Sequence, residues 1–158
     1  MTINIGISQS HREYARDLLF KILSDYYILM IKTQNYHWNA RGPHFHNYHQ
    51  MLELQYNDLA QGVDLLAERI RSLGFHVPAN YKNFMTHATL QEEMREPATE
   101  DMLKNLIHDH EYLIRETREA INKLKETGDE NTLDLLVERL SLHEKTAWML
   151  RSLNSHDS

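Results

Sequence analysis

Apolar and polar residues alternate at helical spacing along almost the whole chain. Between Gln9 and Ala40, Leu19, Leu23, Tyr26, Met30, Thr33 and His37 follow one another at steps of four and three, laying one stripe along a helix. Leu52, Tyr56, Leu59, Val63, Leu66, Ile70 and Leu73 form a second stripe of the same kind. Arg41-Gly42-Pro43 separates the two, and because Gly suits a helix stop and Pro a first turn, the pattern predicts a hairpin. Gly74 closes the second helix, with Arg69 and Arg71 favourable in its last turns. The connection from Phe75 to Pro97 contains Pro78 and a short helix around Tyr81 to Met85, a length that suits a crossover between two hairpins. A third helix is expected from Thr99, whose hydroxyl can cap it, to Gly128, with Glu100 and Asp101 in its first turn. A fourth opens at Asp129-Glu130-Asn131-Thr132 and runs to about Leu153. The expected object is an all-α four-helix bundle, and a purely structural bundle would satisfy the same periodicity.

Composition narrows this further. The 158 residues suit one domain, 1–158, with short tails at 1–8 and 154–158. Zero Cys excludes disulfides, thiolate metal sites and cysteine nucleophiles. Met1 to Gly6 lacks the pattern of a signal peptide, and the most apolar stretch, Leu18 to Ile31, is broken by Lys21 and Asp25, so no membrane span is expected. These features point to a soluble protein of the cytoplasm. The net charge of −6 disfavours nucleic acid and favours cations, while the 11 histidines supply ligands for borderline metals.

The candidate chemistry lies on the second helix. His49 and Glu53 stand near its start, Asp64 and Glu68 near its end, and the two pairs mirror each other about a point between Asp58 and Leu59. With His49 set at zero and about 100° per residue, Glu53 falls at about 40°, Asp64 at about 60° and Glu68 at about 100°, beside the apolar stripe. Ala60 on this face permits close approach of another helix. Fifteen residues of helix rise about 22 Å, so His49 and Asp64 of one chain cannot share an ion. Two copies set antiparallel across a two-fold axis at the midpoint bring His49 beside the partner's Glu68 and Glu53 beside the partner's Asp64. A solvated face is the alternative, and Asn57 and Gln61 fit it. His37 adds weight: it stands six residues before Pro43 and His49 six after, so an antiparallel hairpin puts both at a similar height. Imidazole and carboxylate without thiolate suit Fe(II), Mn or Zn. Glu-x-x-His is absent from the sequence, which argues against a metal site enclosed within one bundle.

The segment His37-Trp-Asn-Ala-Arg-Gly-Pro-His-Phe, then His49, then Asp64-Leu-Leu-Ala-Glu-Arg-Ile-Arg-Ser-Leu-Gly74 closely resembles the Dps mini-ferritins. So does Gly128-Asp-Glu-Asn-Thr-Leu-Asp-Leu-Leu, continuing to His143-Glu-Lys-Thr-Ala-Trp-Met-Leu-Arg151. The resemblance implies a ferritin-like bundle with a short helix in its crossover, assembled as a hollow homododecamer of the bacterial cytoplasm or nucleoid. It implies ferroxidase centres at two-fold interfaces that oxidise Fe(II), preferably with hydrogen peroxide, and store ferric mineral. The ligands carried over are His37, His49, Asp64 and Glu68, with Glu53 where relatives commonly have Asp; iron is the expected metal and Zn or Mn a possible substitute. Trp38 corresponds to a tryptophan near the centre, read either as a trap for oxidising equivalents or as interface packing. Glu130 and Asp134 match acidic positions of a three-fold iron channel, although Glu130 also complements a helix dipole. Lys125 stands where relatives can be acidic, making that channel less negative. Trp148 and His143-Glu144-Lys145 read as packing and salt bridges on the fourth helix, and His44 and His46 as surface residues or transient metal contacts.

The alternative function is a nucleoid protein that compacts DNA. Neither terminus carries a Lys-rich tract: His11, Arg12 and Arg16 are offset by Glu13 and Asp17, and Asn154 to Ser158 is not cationic. Little DNA binding is expected at neutral pH, with the histidines leaving room for it at lower pH. A third alternative is a shell with neither chemistry, such as a lectin-like or immune-active surface protein.

Overall fold

A computed structural model describes residues 2–155, and the expected C-terminal tail lies largely outside them. The chain forms α1 (Gln9–Asn39), α2 (Phe45–Ser72), α3 (Tyr81–His87), α4 (Thr99–Leu124) and α5 (Glu130–Asn154), with no strand among the described residues. Helix α1 packs along α2 and α4 along α5, and α1–α4 and α2–α5 contacts close the four-helix bundle. The short α3 lies on α1, within the crossover from one hairpin to the other.

The apolar stripes are the faces that bury. Leu19, Leu23, Tyr26 and Leu29 of α1 meet Leu52, Leu59, Leu66 and Ile70 of α2, with Leu106 and Leu113 of α4 and Leu136 and Leu150 of α5 in the same core. The helix ends follow local chemistry. Ser8 caps α1 by accepting the N–H of His11, and Asp129 caps α5 by accepting that of Thr132. Gly74 ends α2 at φ +96°, a conformation that a side chain strains; a Cβ there would also strike Ile3, whose side chain lies across the turn.

Two boundaries and one cap differ from the sequence reading. Helix α2 starts at Phe45 rather than Pro43, because the Phe45 N–H closes a turn on the Gly42 carbonyl. Helix α4 ends at Leu124, and the residues to Gly128 form turns. Thr99 does not cap α4: its hydroxyl accepts the Arg41 N–H at 2.8 Å and donates to the Arg41 carbonyl at 2.9 Å. This ties the first hairpin turn to the start of the second hairpin. At the opposite end Arg69 of α2 pairs with Asp129 at 2.7 Å and bonds Thr132 at 2.9 Å, fastening α2 to the start of α5. Among the described residues, no helix is long and apolar enough to cross a membrane.

Candidate metal centre

The hairpin brings His37 and His49 ring on ring, with centroids 3.7 Å apart and planes 14° from parallel. Each ring is held by the other helix: His37 Nδ1 donates to the His49 carbonyl at 2.6 Å, and His49 Nδ1 to the His37 carbonyl at 2.8 Å. Because a carbonyl can only accept, each Nδ1 carries a hydrogen, and neither Nε2 has a hydrogen-bond partner among the described residues. That is the arrangement a metal-ligating histidine takes, because a carbonyl bonded to the other ring nitrogen fixes the tautomer and makes Nε2 more basic. Tyr56 meets His37 edge-on at 5.2 Å, and Phe45 leans on His49 at 5.1 Å, so aromatic rings pack around the pair.

The carboxylates lie elsewhere on the chain. Glu53, Asp64 and Glu68 are all exposed on α2 and take no ion pair among the described residues. No group of three His, Asp or Glu that could hold a metal ion converges within the single chain among the described residues: the length of α2 keeps Asp64 and Glu68 from the histidine pair, and Glu53, one turn from His49, does not complete a triad with it. Trp38 is 67 % exposed, so within one chain it does not fill a core. Glu130 and Asp134 occupy the first turns of α5, exposed to solvent and without an ion pair among the described residues. On the same helix His143 is buried and Glu144 pairs with Arg118, whereas Trp148 is exposed.

Polar residues that the pattern did not single out fill the middle of the bundle. Arg139, 2 % exposed, donates from Nε to Tyr26 Oη at 3.0 Å and grips Asp58 at 2.9 and 3.2 Å. Tyr26 Oη lies 2.5 Å from His143 Nε2, and His143 Nδ1 lies 3.0 Å from His110 Nδ1. Burial, helped by the Arg139 charge, pushes the His110 imidazole down to about 3, and burial likewise drives His143 well below its ordinary value, so both are neutral. Their signal was in the sequence: Arg139 and His143 keep the helical phase of Leu136, Ala147 and Leu150, which places polar side chains on a core face.

A ferritin family model, a ferritin-like domain, matches residues 16–157. DNA protection during starvation protein 2 of Bacillus anthracis is 32 % identical over 86 % of this chain and 93 % of its own. The crystal structure of a DPS protein from Vibrio cholerae O1 superposes with a TM-score of 0.92 at 27 % identity, covering 98 % of each chain. The chain belongs to the Dps family of ferritin-like proteins. A low temperature-induced protein of Nostoc is 40 % identical over 95 % of this chain and 85 % of its own, and DpsC from Streptomyces coelicolor aligns at a TM-score of 0.95 with 26 % identity, over all of this chain and 93 % of its own. This Dps-family bundle departs from ferritin-like proteins that hold iron within one bundle, where paired carboxylates and Glu-x-x-His motifs face inward. Here the Arg139 cation sits in the interior, and a buried positive charge repels a divalent ion.

Proposed function

We propose that two copies of this chain pack α2 against α2 about a two-fold axis near Asp58 and Leu59, completing two ferroxidase centres. Each takes His37, His49 and Glu53 from one protomer with the partner's Asp64 and the partner's Glu68. The observation that carries this reading is the interlocked histidine pair, with both Nε2 atoms free while the remaining ligand candidates stand exposed and unpaired on the same helix. Leu54 and Leu65, 73 % and 41 % exposed, lie on that outward side of α2 and favour its burial against a second copy. The Vibrio cholerae protein is described as a member of a superfamily of ferritin-like diiron-carboxylate proteins, which supports iron as the metal handled.

Fe(II) is the substrate. The neutral imidazoles hold the reduced ion, and the carboxylates favour the charge that accumulates as it becomes Fe(III). Two Fe(II) and one hydrogen peroxide give two Fe(III) and two hydroxide ions, so pairing the oxidations avoids releasing hydroxyl radical. Fe(II) enters past Glu130 and Asp134, and the ferric product is stored as mineral in a homododecameric shell. Zn(II) and Mn(II) would compete for the same donors. Removal of Fe(II) and peroxide accounts for the words DNA protection in the relatives' names without requiring contact with DNA.

The test is stopped-flow oxidation of Fe(II) by peroxide, with particle size followed by light scattering. The wild type consumes two Fe(II) per peroxide. His37→Ala and Asp64→Ala keep the particle and slow oxidation by at least about tenfold, the scale on which even outer-shell changes act at metal sites. Unchanged rates in intact variant particles overturn the assignment.

A further inference from the structure

The chain of groups in the bundle interior has the connections of a proton relay attached to an oxidisable phenol. Tyr26 is fully buried. Its Oη already accepts the Arg139 Nε–H at 3.0 Å, so its own hydrogen needs another acceptor, and His143 Nε2 at 2.5 Å is the one within reach. With Nε2 accepting, His143 carries its proton on Nδ1 and donates it to His110 Nδ1 at 3.0 Å. His110 then holds a proton on Nε2, which is buried without a hydrogen-bond partner. Hydrogens therefore run in one direction, from phenol to His143 to His110. Arg139 extends the network the other way, through its two bonds to Asp58. Asp58 lies on α2 between the proposed ligands, about 8 Å of helix rise from Glu53 and about 9 Å from Asp64.

A phenol gives up an electron readily only if its proton leaves at the same time, because the oxidised phenol is a strong acid. Tyr26 has a neutral base in place to receive that proton, and the guanidinium remains as a donor to the oxygen left behind. Burial pushes the phenol up to about 12, with Arg139 pulling the other way, so Tyr26 stays protonated and does not lose its proton before the electron goes. Other phenols differ in one of these respects. Tyr36 donates to Glu93, but its bonds lead to Asn105 and the crossover rather than to α2.

We propose that Tyr26 is a one-electron donor to the iron–peroxide reaction, with His143 as the proton acceptor. The proposal rests on the ferroxidase reading above. When a single Fe(II) meets peroxide, the ion supplies one electron and Tyr26 the second: Fe(II), the phenol, neutral His143 and hydrogen peroxide give Fe(III), the phenoxyl radical, a His143–His110 pair carrying the phenolic proton, and two hydroxide ions. The phenolic O–H bond breaks, its proton moves to His143 Nε2 and on through the relay, and the peroxide O–O bond takes both electrons. A later Fe(II) and a proton restore the phenol. A centre holding one iron thereby completes a two-electron reduction without freeing hydroxyl radical.

Rapid-freeze electron paramagnetic resonance on the assembled protein, loaded with substoichiometric Fe(II) and mixed with peroxide, tests this. Ferric absorbance is recorded on the same samples. The expected result is a free-radical signal narrowed by ring-deuterated tyrosine, lost in Tyr26→Phe and retained in Tyr36→Phe and Trp38→Phe. Placing 3-fluorotyrosine at position 26 keeps the hydroxyl and should add fluorine splitting to the signal, which covers the case that Tyr26→Phe does not assemble. Hydroxyl radical caught by a spin trap should rise several-fold in the variant lacking the phenol. Ferric product without a tyrosyl signal, or a signal without fluorine splitting, overturns the donor and leaves the ferroxidase reading standing. Absence of ferric product overturns both.

Discussion

A Cβ added to Gly62 would lie 2.7 Å from Arg139 Cζ and 2.6 Å from the Tyr26 ring carbon Cε2, so a glycine in the middle of α2 and a guanidinium from α5 occupy complementary space. Glycine inside a helix costs about 1 kcal/mol relative to alanine. Gly62→Ala recovers that amount, but it forces apart a rigid ring and a side chain held at both ends. Overpacking of this kind costs about 1–3 kcal/mol, and the displaced guanidinium also loses bonds to Asp58. The expected outcome is a net loss of about 1–2 kcal/mol by denaturant unfolding, against the usual direction of Gly→Ala in a helix. A more stable variant would show that Arg139 can move aside without penalty.

How far the sequence reading reached depends on where each partner lay. The helices and both hairpins followed from spacing and from Gly42, Gly74 and Gly128, since those signals are local. The proximity of His37 and His49 followed from their equal offsets from Pro43. The exchange of Nδ1 bonds between them was not accessible, because it depends on ring orientation. Thr99 carried a helix-capping signal, yet its hydroxyl satisfies both backbone groups of Arg41, a partner 58 positions away. Arg139 and His110 carry no sequence reading, and His143 reads only as packing on the fourth helix, because a charged or imidazole side chain at a core position makes sense only once Tyr26 and Asp58 are known to face it. The split between half-sites rests on a second copy, and one chain's pattern can express that only as a mirrored spacing.

Glu116 sets a pH dependence. Lys21 lies between two carboxylates, bonding Asp25 and reaching Glu116 at 2.8 Å. Asp25 also accepts the N–H groups of Thr89 and Leu90 at 2.7 and 2.9 Å and so fixes the crossover to α1. Glu116 is left with a buried, unpartnered Oε2; burial, reinforced by the charge on Asp25, pushes its carboxyl up to about 7. Between its ordinary value of 4.5 and about 7 the folded protein therefore binds more protons at this residue than the unfolded chain does. Stability from Glu116 is full at the acid end of that window and falls as pH rises through it. Thermal midpoints from pH 5 to 8 should fall less steeply for Glu116→Gln than for the wild type, with the variant relatively more stable at pH 8. Parallel curves would mean that Lys21 keeps Glu116 ionised throughout.

Leu54 tests the proposed use of α2. At 73 % exposure, Leu54→Asp removes little from the isolated bundle, and a surface change of this kind stays within about 0.5 kcal/mol. Buried against a second α2, the same aspartate would be desolvated beside other carboxylates. The variant should keep its helical circular dichroism and shift to smaller particles by light scattering, with peroxide-driven iron oxidation lost alongside. A full-sized particle would place the contact between copies on another face.

Direct DNA binding separates protection by chemistry from protection by coating. Cations on this chain are largely spoken for: Arg16 pairs with Asp17, Lys104 with Glu100, Lys123 with Glu119, Arg118 with Glu144 and Arg151 with Glu111, while Arg12 donates inward to the Leu73 carbonyl. The net charge of −6 multiplies in any assembly. A protein that holds duplex DNA does so by releasing counterions from phosphates, which takes unpaired Lys and Arg on one surface. The assembled protein should therefore leave plasmid mobility unchanged at pH 7.5 in about 150 mM salt, yet slow strand nicking by Fe(II) and peroxide. His37→Ala should lose that protection because it acts through iron. Retardation that weakens steeply with added salt would show instead that phosphates are being contacted, and the chain would then protect DNA by occupying it.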